Sequence, residues 1–289
     1  MVGTMDVLER ATGFLWRNAR LLEPALFAHQ FLNGSAGHVR DVIRAYRNAD
    51  GGLGHALEPD IRAPTSQPLH IEVALRALLS AGIRDVELAR GACDFLAGVA
   101  HADGSVPIDL PSMLDYPRAA HWAERDPPGD SPNPTAALAG LLLYQGVSHP
   151  WLDRAVAWCW ERLEAPITEA HAIRSALVFL EFAEDRPRAE ALALKAARQA
   201  YTARYFKAEP GAGSYGITPL QLASTPDAVG RAAFPDTLLA AHLDDLLAAQ
   251  AEDGGWPIAW TPPGPGAAAE WRGLATLEAL TCLRAYGRL

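Results

Sequence analysis

The chain has 289 residues, 49% of them hydrophobic and 20% charged, with a net charge of −9. This is ordinary globular composition for a chain able to bury a large core. The acidic balance, with no basic tract, excludes recognition of a phosphate backbone, so no nucleic-acid partner is expected. Three cysteines, Cys93, Cys159 and Cys282, lie far apart in apolar helical contexts, which fits buried thiols in a reducing compartment. No stretch approaches the roughly 18–20 apolar residues of a membrane span. Asp6, Glu9 and Arg10 interrupt the apolar run that a secretory signal needs. The expectation is a soluble cytoplasmic protein.

Apolar spacing predicts a first helix over Val7–Arg20, with Asp6 able to cap it, a second over Leu21–Asn33 and a third over His38–Tyr46. An acidic loop follows to Pro64. Pro68–Ser80 is apolar around most of its circumference, with Thr65 or Ser66 before it as caps, and such a helix is buried on both sides. Val86–Val99 is amphipathic. The irregular stretch Ser105–Pro134 is long enough to suggest a functional loop. Beyond it come the very apolar Ala136–Tyr144, then Trp151–Leu163, then Thr168–Ala183 capped by Thr168, then an Ala-rich helix over Arg188–Phe206. Thr218–Ser224 is short, Pro235–Gln250 is amphipathic, and Glu270–Tyr286 is the last helix. No stretch alternates with the two-residue period of a strand, so the expected class is all-α.

A tight Asp-Gly turn recurs at Asp50, Asp103 and Asp253, at separations of 53 and 150 positions. The second separation is close to three further units of the first. Degenerate junctions are then expected near 153–166 and 203–216, where a helix end at Glu164–Pro166 and a Gly/Pro loop do fall. Helical hairpins at a fixed period mean a solenoid or a closed ring. One nearly all-apolar helix per pair favours the ring, an (α/α) barrel of five or six hairpins in a single domain spanning 1–289.

LLAAQAEDGGWPIAW, Leu246–Trp260, resembles the QW repeat of squalene-hopene cyclases and other terpenoid cyclases: an outer-helix Gln250, the Gly254-Gly255 turn and Trp256. IRAYRNADGGLG, Ile43–Gly54, is a weaker copy, and protein prenyltransferase β-subunits share the same α/α toroid. In the cyclases these motifs brace the barrel, so the resemblance implies a fold. The catalytic D-x-D-D motif is not found. Asp244-Asp245 has the wrong pattern and sits on an outer helix, and the prenyltransferase D-x-C zinc pair with its distant His has no match.

Residues with chemical potential fall into a few groups. GHALEPD places His55, Glu58 and Asp60 in one loop entering the N-terminus of an inner helix, where partial positive charge favours carboxylates. A carboxylate near a His can work as acid or base; the competing reading is local capping, or pairing with Arg62. Asp115, Tyr116, His121 and Trp122 in the long loop suit a lid with an acid and an aromatic wall. Gln67, His70, Glu72, Asn133, Glu169, His171, Arg174, Glu270, Trp271 and Arg272 sit near inner-helix starts, where polar groups need partners or a cavity. Trp260 and Trp271 are pocket candidates, while Trp256 fits turn bracing.

No metal spacing and no phosphate loop is present. The leading expectation is a terpene-cyclase-like enzyme acting on an isoprenoid in an apolar cavity. Glu58, Asp60, His55 or Asp115 would serve as acid or base, and His70, His121, Trp122, His171, Trp260 and Trp271 would contact the substrate. No cofactor is expected beyond Mg²⁺ for a diphosphate substrate. A carbohydrate-active barrel enzyme with paired carboxylates is the alternative, and a non-catalytic ligand-binding scaffold the third reading.

Overall fold

The structure, a computed structural model, describes residues 4–122, 131–211 and 215–289. Among them the regular structure is helical, with only isolated β-bridges. In chain order the helices are α1 (Thr4–Asn18), α2 (Leu22–Phe31), α3 (Ala36–Arg44), α4 (Pro68–Ser80), α5 (Val86–Val99), α6 (Thr135–Gln145), α7 (Pro150–Arg162), α8 (Ala170–Phe182), α9 (Arg186–Gln199), α10 (Pro219–Leu222), α11 (Asp236–Ala248) and α12 (Pro265–Ala285). No helix is long and apolar enough to cross a membrane among the described residues.

The apolar periodicity places α4 and α5 at the expected residues. α6 is buried from Thr135 to Leu142, as its near-continuous apolar run requires. Other boundaries move for local reasons. α12 starts five residues before Glu270, at Pro265, whose fixed φ suits a first turn. α9 stops at Gln199 rather than Phe206. There the chain turns through a short 3₁₀ segment, and Arg204 exchanges backbone bonds with the entry to α8 (Arg204 N to Thr168 O 2.9 Å, Ala170 N to Arg204 O 3.0 Å). Three caps also differ from expectation. Asp6 lies inside the first turn of α1. The N-cap of α4 is Gln67, because the Ser66 hydroxyl is committed to Asp50 Oδ1 at 2.7 Å. Glu169, not Thr168, caps α8, its carboxylate accepting from the amides of His171 and Ala172.

Helix α4 packs on α6, α6 on α8, α8 on α10, α10 on α11, and α11 on α12. α12 packs on α1 and α2, α2 on α3, and α3 on α4, so the succession of contacts returns to its start. α5 and α7 also pack on α6 and on each other, and α9 packs on α8. Most buried apolar side chains form one continuous core, with Trp151, Phe14, Phe27 and Phe179 among the largest fully buried groups.

The three Asp-Gly turns are copies of one another bond for bond. In each, the Asp side chain accepts from the amide two residues on (Gly52, Ser105, Gly255) at 3.0, 2.9 and 3.1 Å. In each, an amide two residues before the Asp donates to the carbonyl four residues later (Asn48 to Gly52, His101 to Ser105, Ala251 to Gly255). The central glycines Gly51, Gly104 and Gly254 all have left-handed φ, which a side chain resists. Each packs so tightly that a methyl group would strike backbone of another helix: α5 for Gly51, α7 for Gly104, and α1 for Gly254. Gly51 thus packs on α5, Gly104 on α7 and Gly254 on α1. Gln250 reinforces that contact, accepting from Arg10 and donating to Val7 O and Gly254 O. Trp256 is buried, its indole N–H bonded to Leu246 O at 2.7 Å, which is the bracing role expected of it.

Candidate functional site

The loop after the first turn is where the repeat is broken, and the structure builds a site around it. His55 and Ala56 are consecutive non-glycine residues in the left-handed region, at φ 57° and 59°. Such conformations cost about 1–2 kcal/mol each and persist only when their surroundings impose them. Here Arg20 imposes them. Its guanidinium is buried against Glu23 at 2.7 Å and donates to the carbonyls of Ala56 and Leu57. His70 supports the same loop from beneath through its Nε2 bond to Ile61 O at 3.3 Å. Its burial drives the imidazole down to about 4, so it is neutral, and it is fully enclosed rather than open to a substrate.

Held this way, Glu58 and Asp60 are both buried. Asp60 Oδ2 accepts from Trp260 Nε1 at 2.9 Å and lies 3.9 Å from His121 Nε2. Burial pushes the Asp60 carboxyl up to about 6, against the opposing pull of the Trp271 and Trp260 indole N–H groups. Trp271 contributes to that pull without a hydrogen bond of normal geometry. Glu58 is raised well above the usual carboxylate range, first by burial and next by the Asp60 charge. Glu58 Oε2 and Asp60 Oδ1 are buried without a hydrogen-bond partner. Such atoms are costly in a core and call for a functional explanation.

The described first part of the long loop, up to Trp122, lies against this centre, and residues 123–130 lie outside the described residues. Ala119 N donates to Asp60 O at 3.0 Å, and Arg62 N to Pro117 O at 3.0 Å. Met113 forms a small core with Ile61 and Ala63, against which Leu69, Tyr116 and Trp122 pack. Gln67 tethers the loop from below through Leu110 N and Ser112 Oγ. Arg62 pairs with Glu270 at the start of α12. The local pairing considered for Glu58 and Asp60 with Arg62 is therefore replaced by a tie between distant segments.

A second group faces the first. Glu169 accepts from His171 Nδ1, and His171 Nε2 meets the Tyr215 hydroxyl at 2.6 Å. Glu169 stays below the usual carboxylate range: burial works against this, but the His171 bond and charge and the two capped amides outweigh it. Tyr215 stands edge-on to Trp260 (centroids 5.8 Å apart), and Trp260 edge-on to Trp271 (5.0 Å), with Tyr205 beside Tyr215 and His171. Aromatic rings thus join the Asp60 centre to the His171 centre. His121 lies within electrostatic reach of both; burial, then the His171 charge, lowers its pKa.

Further along the same helices sits a charged layer. Arg76 bonds Glu72 at 2.8 Å on α4, and Arg174 of α8 reaches Glu278 of α12 at 3.4 Å. Burial and the neighbouring Arg174 charge lower the Arg76 pKa against the pull of Glu72 and Glu278. Helices α4, α8 and α12 are not successive in the packing order, yet their long side chains meet.

Of the residues expected to act, Glu58, Asp60, His121, Trp260, Trp271 and His171 come together, with Trp122 packed on the supporting loop. His55 does not join them: it is exposed, with Nε2 3.0 Å from Asn48 Oδ1, because the left-handed backbone turns its ring back toward the first turn. Asp115 is exposed on the overlying loop. Tyr205, Tyr215 and the supporting Arg20 and Glu23 were not singled out by the sequence. The signal for Tyr215 was its place in the Gly/Pro loop at a degenerate junction of the repeat. Among the described residues no group of three or more His, Cys, Asp or Glu is arranged to hold a metal ion. No family model matches the sequence, and no curated protein is similar to it.

Proposed function

We propose that the chain is an acid–base enzyme built on an α/α toroid, that Asp60 is its proton-carrying group, and that its substrate is a carbohydrate-class molecule. The self-returning order of helix contacts and the three matching turns support the toroid. One observation carries the reaction type: the Asp60 carboxyl, poised near 6 among the Trp260 and Trp271 rings, with His121 beside it. A carboxylic acid tuned close to neutrality suits transfer of a proton to an oxygen leaving group. Protonating an alkene demands a stronger acid.

Substrate class follows from the surroundings. Tyrosine and tryptophan faces suit the apolar faces of a sugar ring, their polar edges its hydroxyls. The Glu72–Arg76 and Arg174–Glu278 layer would tax an all-hydrocarbon chain. An isoprenoid substrate is the second reading, favoured by the tryptophan pair and by the repeat pattern around Gln250.

The test is a panel of aryl glycosides and oligosaccharides beside farnesyl and geranylgeranyl diphosphates and squalene, read by mass spectrometry. Turnover of a glycoside, falling roughly 10²–10⁴-fold in Asp60→Asn and unchanged in His55→Ala, is the expected result. Turnover of only the isoprenoids would replace the first reading with the second, and conversion of none would overturn both.

A further inference from the structure

His171 bridges Glu169 and Tyr215 through its two ring nitrogens. Glu169 is an acceptor, held as a carboxylate by two backbone amides as well as by the imidazole. When the imidazole is neutral, this bond places its proton on Nδ1. In that form Nε2 has a free lone pair for the Tyr215 hydroxyl, 2.6 Å away, to donate to. Carboxylate, imidazole and hydroxyl stand in the order of a nucleophile activated by a base that a carboxylate orients. The arrangement is built rather than incidental. Glu169 is fixed by its role at the N-terminus of α8, and Tyr215 is stacked on the His171 ring at 5.7 Å with an interplanar angle of 19°. Tyr215 also abuts Trp260, the ring whose N–H binds Asp60.

We propose that Tyr215 is an activated nucleophile, its proton taken by His171 and the resulting imidazolium stabilised by Glu169, opposite Asp60 as the acid. The substrate centre rests on the reading of the preceding subsection: a carbon bearing an oxygen leaving group. In the first step the Tyr215 oxygen bonds to that carbon and the bond from carbon to the leaving oxygen breaks. The phenol proton passes to His171 Nε2, and the leaving oxygen takes the Asp60 proton. In the second step a water oxygen bonds to the carbon, and the carbon–Tyr215 bond breaks. The Asp60 carboxylate takes a water proton, and His171 returns its proton to Tyr215. Burial, with the charge of Glu169 next, raises the Tyr215 phenol to about 12, so its proton leaves in the step rather than before it.

The relay can be tested without a substrate, separately from the identity of that substrate. Tyr201, Tyr205 and Tyr215 are similarly exposed, at 46%, 54% and 45%, and only Tyr215 bonds to His171. An arylsulfonyl fluoride reports on nucleophilicity: the phenol oxygen bonds to sulfur, fluoride leaves, and the proton goes to the base. Peptide mapping should find Tyr215 sulfonylated at least about ten-fold faster than Tyr201 or Tyr205. His171→Gln should remove that advantage while leaving the rates at Tyr201 and Tyr205 unchanged. Glu169→Gln should reduce it less, because the imidazole remains. Equal labelling of the three tyrosines in the wild-type chain, or a Tyr215 rate indifferent to His171→Gln, would overturn the proposal even if a glycoside is turned over.

Discussion

Trp260 Nε1 donates to Asp60 Oδ2 at 2.9 Å across 200 positions of sequence, joining the loop after the first turn to the loop after the last. The bond favours the charged carboxylate and so opposes burial, the stronger influence, which raises Asp60 to about 6. Trp260→Phe keeps a ring and removes the donor. Asp60 should then titrate higher still, measured by ¹³C NMR of the carboxyl carbon. A value that stays put or falls would show that the indole does not set it.

The same carboxyl links stability to pH. Its folded value of about 6 exceeds the unfolded one, ~3.9. Its contribution is therefore present in full below ~3.9 and lost as pH rises through about 6. Glu58 acts in the same direction. Asp60→Asn never ionises, so its stability relative to wild type should be ~1–3 kcal/mol greater at about pH 8 than at about pH 4. Urea unfolding at the two pH values checks this.

Arg20 should be the most costly single side chain to lose near the site. Arg20→Met leaves Glu23 buried without its partner and frees the carbonyls of Ala56 and Leu57. A loss of ~3–5 kcal/mol in chemical unfolding is expected. Met at position 20 with Gln at position 23 should recover part of it, since no charge is then stranded.

Two glycines with left-handed φ separate strain from collision. Gly82, at φ 65°, has open space where a methyl would go. Gly254, at φ 94°, presses on the backbone of Arg10. Gly82→Ala should cost about 1 kcal/mol, the conformational term alone. Gly254→Ala should cost more and should speed amide exchange in α1, read by hydrogen-exchange mass spectrometry. Equal costs would mean that the last turn does not hold α1.

The helices were legible because burial repeats at the helical period, and Val86–Val99 needed nothing else. The turns were legible because a left-handed glycine after an Asp has few alternatives. The end of α9 was not, since its sequence remains helix-compatible to Phe206 and only a backbone exchange with Thr168 and Ala170 stops it. In the site, the acidic loop stood out because it does not recur. His55 misled because proximity in sequence says nothing about a backbone that turns its ring away. Tyr215 stayed hidden because its junction lacks the Asp-Gly signature, and its partner lies 44 positions away.

The contact of Gly254 with Arg10 has a consequence for synthesis. During synthesis α1 is made well over 200 residues before the turn that contacts it. Until the final turn is made, the face of α1 that meets it, with the Phe14 ring beside Gly255, waits without a mate. This contact is therefore expected to form only after synthesis has passed the turn at Gly254. A truncation before Gln250 should yield a product that binds chaperones rather than a smaller stable protein.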